Sequence, residues 1–428
     1  MKTVYIVIIL ALLFVTQFFS YKNWNVTLGG QIANYISILL FLYVLYYLYK
    51  IRWHYIDIQI VLLLGTPLLS YLSLVFYSHG DPVQIKNYLY PLACVALYFV
   101  YRQNRIKESD IVIPYLIIGF AVLLIQIFQQ LNLSSALFGL RTEEFMESYH
   151  TNDIVEIRNG IYRFRLDVTF YATFVGLYYC WEKYLYKQKT LYLCLFILLS
   201  ISIYLYLARQ IMFVSFAVVA FSFLLQRGMN RIKSFLLVSI FLFILYVFHD
   251  SLFGQLMKHA SSDSELRMAE YLFFWGESTK NPIVFLFGHG YGNQLTEIQA
   301  TYRYYASDVG VIGQMYYFGF IWIVVFFVSL ISILYKYWHQ LPLYINMFLI
   351  TILFDSVLIS PFSIPSHRFT YVTILYLCYY HVIKKNIVNS VKCVKRKPLL
   401  TGGKHNVTVI QNIINDEKIM ETKHDNAS

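Results

Sequence analysis

The chain has 428 residues, 58% of them hydrophobic and 13% charged, with a net charge of +11. Soluble domains carry about a quarter charged residues, so the composition excludes a set of water-soluble domains. Residues 384–428 hold nine Lys or Arg against four acidic residues, which is the pattern of a cytoplasmic membrane-protein tail and argues against a nucleic-acid partner.

Apolar stretches recur from Val4 to Ile383, most of them long enough to cross a bilayer as a helix. They predict an all-α polytopic membrane protein with about twelve transmembrane helices. The first span, residues 4–19, follows Lys2 and resembles a signal peptide. No small-x-small cleavage site follows it, so it is expected to be retained. Spans 31–49, 56–77, 88–101 and 111–131 complete a first block over residues 1–131. A first long loop covers 132–167. Spans 168–181, 190–207, 210–226 and 234–248 form a second block over 168–248. A second long loop covers 249–308, and spans 309–335, 341–357 and 369–383 make the last block over 309–383. The basic tail 384–428 is expected to be disordered.

The short loops 50–55, 102–110, 182–189, 227–233 and 336–340 carry twelve Lys or Arg in 35 residues, and the opposite loops carry twelve in roughly 130. The dense set should be cytoplasmic, which places both termini inside and both long loops outside. Work at the outer face follows, because mass concentrated in long loops is more often functional than structural. Five cysteines, Cys94, Cys180, Cys194, Cys378 and Cys393, all avoid the outer loops, so no exported disulfide framework is implied. Tyr and Phe together supply 75 residues, too many for interfacial belts alone, and many should pack between helices.

In the first long loop, Arg158, Arg163 and Arg165 lie just ahead of a span on the side poor in positive charge. Guanidinium groups there suit phosphate oxygens; pairing with Glu143, Glu144, Glu147, Asp153 or Glu156 is the alternative. Residues 190–226 hold one charged residue, Arg209. One helix over that run would be about 55 Å long against a ~30 Å hydrocarbon core, so the run must turn at Ala208-Arg209-Gln210, on the outer side. Arg209 there either binds an anion in a cavity or snorkels from a tight hairpin.

The second long loop predicts an amphipathic helix. Ser262 and Glu265 have capping-box spacing, and Leu266, Ala269, Leu272 and Phe273 make an apolar stripe. Further on, Gly288-His289-Gly290 has no strand–helix context for nucleotide binding, and its glycines suit a tight turn with His289 as a titratable ring. Asp308 stands at the mouth of a span beside Arg303, as a general base or as a cap and ion-pair partner. Tyr302, Tyr304 and Tyr305 are candidates to stack on sugars or to anchor at the interface. Asp355, inside a span near Pro361 and Pro365, is an intramembrane acid at a broken helix end. No acidic cluster suggests a metal site.

The order of these elements resembles the O-antigen ligase and polymerase superfamily of bacterial envelope glycosyltransferases, over residues 158–322. Arg158-Asn159-Gly160-Ile161-Tyr162 is similar to the family's Arg-x-Gly-x-aromatic entry into a span. The hairpin turn keeps its arginine, Arg209, without the usual Thr, Ser and Gly. Arg267 ahead of aromatic residues, Pro282 and Gly288-His289-Gly290 follow, and then Ser307-Asp308 with Gly319 eleven residues later. Ligases carry a His-Asn pair where this chain has Asp308-Val309, which places the resemblance nearer the polymerase branch. Arg165 and Gly176 also fit an Arg-x10-Gly motif described for polymerases, whereas Gln314 stands where Arg303 would need its glycine.

The resemblance implies polymerisation of undecaprenyl-diphosphate-linked oligosaccharide repeat units into a surface polysaccharide at the outer face of the bacterial cytoplasmic membrane. It implies no cofactor and no metal. Arg209, Arg158, Arg163, Arg165 and Arg303 would hold the lipid diphosphate, Asp308 or His289 would act on the acceptor hydroxyl, and Tyr302, Tyr304 and Tyr305 would face sugar. The expected partners are the lipid-linked oligosaccharide, the bilayer and a chain-length regulator. A ligase, or a flippase for the same lipid-linked sugars, are the alternatives.

Overall fold

The computed structural model describes residues 53–77, 97–131, 155–158, 161–164, 170–206, 209–225, 260–290, 301–302, 304–357 and 365–396, with Leu42 and Ile298 as isolated positions. The predicted spans 4–19 and 234–248 lie outside the described residues, as do nearly all of 31–49 and most of 88–101. In chain order the described elements are α1 (Tyr55–Gly65), α2 (Pro67–Tyr77), α3 (Glu108–Leu131), β1 (Val155–Arg158), β2 (Ile161–Phe164), α4 (Phe170–Lys187), α5 (Thr190–Leu205), α6 (Arg209–Leu225), α7 (Ala260–Thr279), α8 (Pro282–Phe287), a 3-10 turn (Ala306–Asp308), α9 (Gly310–Tyr337), α10 (Leu343–Asp355) and α11 (Pro365–Arg396). Residues 97–103 are helical as well.

Among the described residues, three stretches are long and apolar enough to cross a membrane: Tyr55–Phe76, Glu108–Phe128 and Gly310–Tyr337. The helices run up and down. Tyr171 meets Phe348 and Tyr179 meets Tyr344, so α4 and α10 are antiparallel. Phe326 meets Tyr371 while Tyr337 meets His54, which sets α9 against α11 and α1. Trp181 touches both Phe196 and Phe223, so α5 and α6 fold back on each other with the turn at 206–209. The 190–226 run therefore turns where its length requires.

This threading gives the bundle two ends. One, called here the Asp355 end, gathers the starts of α4, α6, α9 and α11 and the ends of α5 and α10. The other, the Arg102 end, gathers the loops 102–107, 183–189 and 338–342. Basic side chains there clamp onto rings: Arg102 lies 4.7 Å from the Tyr379 centroid and Lys336 4.3 Å from that of Tyr55. Cation–π contacts of this kind hold long basic side chains at an apolar surface.

The core is rich in tyrosine. Among the described residues, ten of the eleven largest fully buried side chains are tyrosines and the other is Trp322. Buried hydroxyls need partners, and polar groups on facing helices supply several of them. Tyr178 bonds Thr351 at 2.7 Å, and Tyr376 donates to the Ile106 carbonyl at 2.6 Å. Trp322 Nε1 donates to the Leu63 carbonyl at 3.1 Å. Proline has no N–H, so Pro67 leaves Leu63 without its i→i−4 donor, and the indole fills the place.

The predicted span 56–77 corresponds to one apolar stretch, Tyr55–Phe76, within which Pro67 interrupts the hydrogen-bond ladder between α1 and α2. The described residues are helical as expected, apart from the first long loop, where β1 and β2 form a short antiparallel hairpin on either side of Asn159-Gly160, a sequence well suited to two-residue hairpin turns. Ser262 lies inside α7, which already begins at Ala260, and so is not its N-cap. The basic tail is helical as far as Arg396, since neither Gly nor Pro interrupts the chain from Ser366 to Lys397; Lys385 Nζ donates to the His339 carbonyl at 2.6 Å.

Candidate functional site

The Asp355 end gathers the chemistry that the sequence scatters. It is built on one backbone interlock. α8 starts with Asn281 capping the Ile283 N–H at 2.8 Å and Pro282 in the first turn. It stops at Gly288, which has φ +83°, and Gly290 has φ +69°. α9 kinks at Gly319, with φ +82° and ψ 172°. The two irregular segments meet: His289 N donates to the Tyr316 carbonyl at 2.7 Å, and Gly290 N to that of Tyr317 at 2.9 Å. The Gly288-His289-Gly290 turn and Gly319, distant in sequence, are thus two halves of one contact.

The interlock fixes His289. Its ring stacks on Tyr316 at 4.4 Å and 25°. Nε2 lies 3.2 Å from the Glu277 carbonyl. A carbonyl only accepts, so Nε2 carries the proton and Nδ1 is the acceptor. Nδ1 is buried without a hydrogen-bond partner. Burial holds the imidazole below its ordinary pKa, so the ring is neutral near pH 7.

The mouth of α9 rests on α7 and on the end of α10. Tyr271 donates to the Val357 carbonyl at 3.0 Å, and Gly310, at φ +50°, lies against the backbone of Ser356 and Val357. Asp308 is exposed at the end of the 3-10 turn. It is not the cap of α9, whose N-cap is Val309. Tyr302 and Tyr304 stack at 5.7 Å and 21°, and Phe273 joins them at 5.5 and 5.4 Å. Tyr302 is 54% exposed, while Tyr304 and Tyr305 are half-buried. Arg303 lies outside the described residues.

The buried side of α7 is not the predicted stripe. Leu266 and Leu272 are exposed, and the helix buries Glu270, Phe274 and Ser278, at i, i+4 and i+8. Phe274 packs on Tyr316 at 5.1 Å. Glu270 is 3% exposed and accepts the Tyr305 N–H at 3.2 Å. Burial pushes its carboxyl up to about 7, and the negative charge of Asp308 adds to the effect; the Tyr305 N–H and Arg267 pull the other way. Glu270 was missed because a lone glutamate on an amphipathic helix reads as solvent-facing. Its four-residue spacing from Phe274 was the available signal.

A second polar group lies deeper at the same end. Asp355 and Tyr171 are fully buried, and the Tyr171 hydroxyl lies by the Asp355 carboxyl. His367 packs its ring on Tyr171 and Phe170 at 4.4 and 4.6 Å. Arg368, 4% exposed, follows it at the start of α11. Asp355 does stand at a helix end, with Ser356 as C-cap. His367 and Arg368 were not singled out by sequence reasoning; the signal was an arginine at a span mouth on the side poor in positive charge.

The arginines of the first loop sit on the hairpin, whose β2 packs beside α3 and α5. The register sets Glu156 directly opposite Arg163 and Arg158 opposite Ile161, which puts Arg158, Arg163 and Glu156 on one face. Arg209 opens α6 at the same end of the bundle; Arg165 lies outside the described residues. Among the described residues, no three His, Cys, Asp or Glu side chains come together as a metal-binding group. No protein-family model and no curated protein matches the chain.

Proposed function

We propose that the chain is an integral-membrane glycosyltransferase that polymerises lipid-diphosphate-linked oligosaccharide repeats at the outer face of the bacterial cytoplasmic membrane. In this reading it has about twelve spans with both termini inside, and the Asp355 end faces out. One observation carries the reading. The arginine hairpin, the start of α6 with Arg209, buried Arg368, a buried carboxylate and a stacked tyrosine pair with Tyr302 exposed share one end of the bundle, opposite the dense basic loops.

The chemistry fits that collection. Glycosyl transfer from a lipid diphosphate needs cations to hold the leaving group and to stabilise the charge it gains as the glycosidic bond breaks. It needs a group to receive the acceptor proton, and flat apolar rings suit sugar faces. The likeness to the polymerase branch, carried by Asp308-Val309 in place of a His-Asn pair, supports polymerisation over transfer of finished glycan.

Arg209→Ala is expected to leave the protein inserted and to reduce long polysaccharide by about 100-fold or more, the loss typical when a charge-stabilising group is removed. Single lipid-linked repeats should accumulate, read by mass spectrometry of lipid-linked glycans in the native bacterium. Arg209→Lys should fail similarly if a bidentate grip is required. Normal chain length in the alanine variant removes Arg209 from the mechanism. In a deletion strain, long chains on the carrier would replace this reading with a ligase, and repeats trapped on the inner leaflet would replace it with a flippase.

A further inference from the structure

We propose that Glu270 is the catalytic base of the transfer, taking the proton from the acceptor sugar hydroxyl; this rests on the polymerase reading above. In the step, the hydroxyl oxygen bonds to the anomeric carbon of the donor sugar. The bond from that carbon to the lipid diphosphate breaks, the diphosphate leaves with the electron pair, and the hydroxyl proton passes to Glu270.

Three observations single this residue out. The first is position. Phe273 lies one turn along α7 from Glu270, and Tyr304 precedes the residue whose N–H Glu270 accepts, so the carboxylate sits at the edge of the Phe273–Tyr302–Tyr304 shelf. A sugar resting on Tyr302, the exposed ring, presents its hydroxyls to that edge. The second is aim. The Tyr305 N–H engages Oε1, which fixes the carboxylate beside the shelf. The third is contrast with the other candidates. His289 is committed through Nε2 to the Glu277 carbonyl and stacked on Tyr316, with Nδ1 sealed from solvent. Asp308 is exposed, where water competes for its oxygens.

The surroundings also tune the group. A base works best with a pKa near the working pH, and burial holds the Glu270 carboxyl at about 7. Among the described residues, the charged and titratable groups around it are Asp308 and Tyr305 from the 3-10 segment and Arg267 and Tyr271 on its own helix. From α9, Tyr316 faces α7 at Phe274, and His289, after α8, lies by Glu277, two turns away from Glu270.

The test is polymerisation of purified lipid-linked repeat units by the full chain in liposomes, followed from about pH 5 to 9, a range that brackets this value. A base must be deprotonated, so wild-type turnover should rise with pH through about 7. Glu270→Gln keeps an acceptor for the Tyr305 N–H and cannot take a proton. It should lower kcat by about 100-fold or more, leave KM near wild type and abolish the limb near neutrality. Asp308→Asn should move that limb to lower pH, because it removes a negative charge that raises Glu270. If Glu270→Gln does not fold, Glu270→Asp is the measure: reduced turnover with a displaced limb supports the base, and wild-type turnover with an unmoved limb overturns it. An active wild type with an equally active Glu270→Gln overturns this inference alone. A folded wild type inert toward lipid-linked repeats overturns the polymerase reading and this inference with it.

Discussion

Gly319→Ala is expected to destabilise the protein by more than about 4 kcal/mol, in the range reserved for substitutions that break a specific structural device. Two costs add. Gly319 has φ +82° and ψ 172°, a region open essentially to glycine, and a side chain held there costs about 1–3 kcal/mol. A Cβ at this position would also fall 2.5 Å from the carbonyl carbons of Leu286 and Phe287, and backbone cannot swing aside as a side-chain tip can. Gly288 is the reciprocal case: its Cβ would fall 2.5 Å from the Tyr317 carbonyl oxygen and 2.6 Å from Gly319 N. Each glycine admits the other's backbone, so Gly288→Ala should match the defect. Gly276→Ala is the control. Nothing lies within 4 Å of a Cβ there, and in mid-helix the change should stabilise by about 0.5–1 kcal/mol. Thermal unfolding of the detergent-purified variants reads all three. A wild-type melting temperature for Gly319→Ala would mean that the kink re-forms without this contact.

The same interlock shows what the sequence could and could not convey. Hydropathy located the apolar helices among the described residues because length and apolarity are properties of each segment separately. The turn at 206–209 followed from length alone. The glycine at 319 was noticed by its distance from Asp308, but its meaning is a pairing with Gly288, and sequence spacing carries no information about which backbones touch. Glu270 illustrates a second limit. Its helix was legible, and its buried face was not, because α7 packs through a glutamate, a phenylalanine and a serine while leaving Met268, Leu272 and Trp275 exposed. Hydrophobic periodicity assumes that the apolar side faces protein, an assumption α7 does not follow. The hairpin 155–164 escaped for a third reason: four-residue strands carry too little alternation to stand out, and Asn159-Gly160 was the only strong local signal.

Asp57→Ala is expected to cost about 3–5 kcal/mol, the usual penalty for breaking a buried ion pair from one side. Asp57 is fully buried near the start of α1 and fills its capacity from three directions. The Arg102 guanidinium pairs with Oδ2, the Tyr98 hydroxyl donates to Oδ1 at 2.7 Å, and the His54 N–H closes a capping box at 2.5 Å. Arg102 in turn lies over the Tyr379 ring, so one carboxylate joins α1, the 97–103 helix and α11. Removing it takes the carboxylate away from a guanidinium that is only 14% exposed and from a buried hydroxyl. The loss should persist in high salt, because a buried pair is poorly screened. Arg102→Ala should cost a similar amount, and the double variant less than the sum of the two. This pair also separates two roles of positive charge. Arg102 belongs to the dense basic set that sets the expected orientation, yet its guanidinium is engaged by Asp57. Arg102→Gln should therefore lower the melting temperature sharply while reporter fusions to neighbouring loops keep their sidedness, since the other eleven Lys and Arg of that set remain. Inverted fusions in this variant would mean that Arg102 orients the chain during insertion, before Asp57 can engage it.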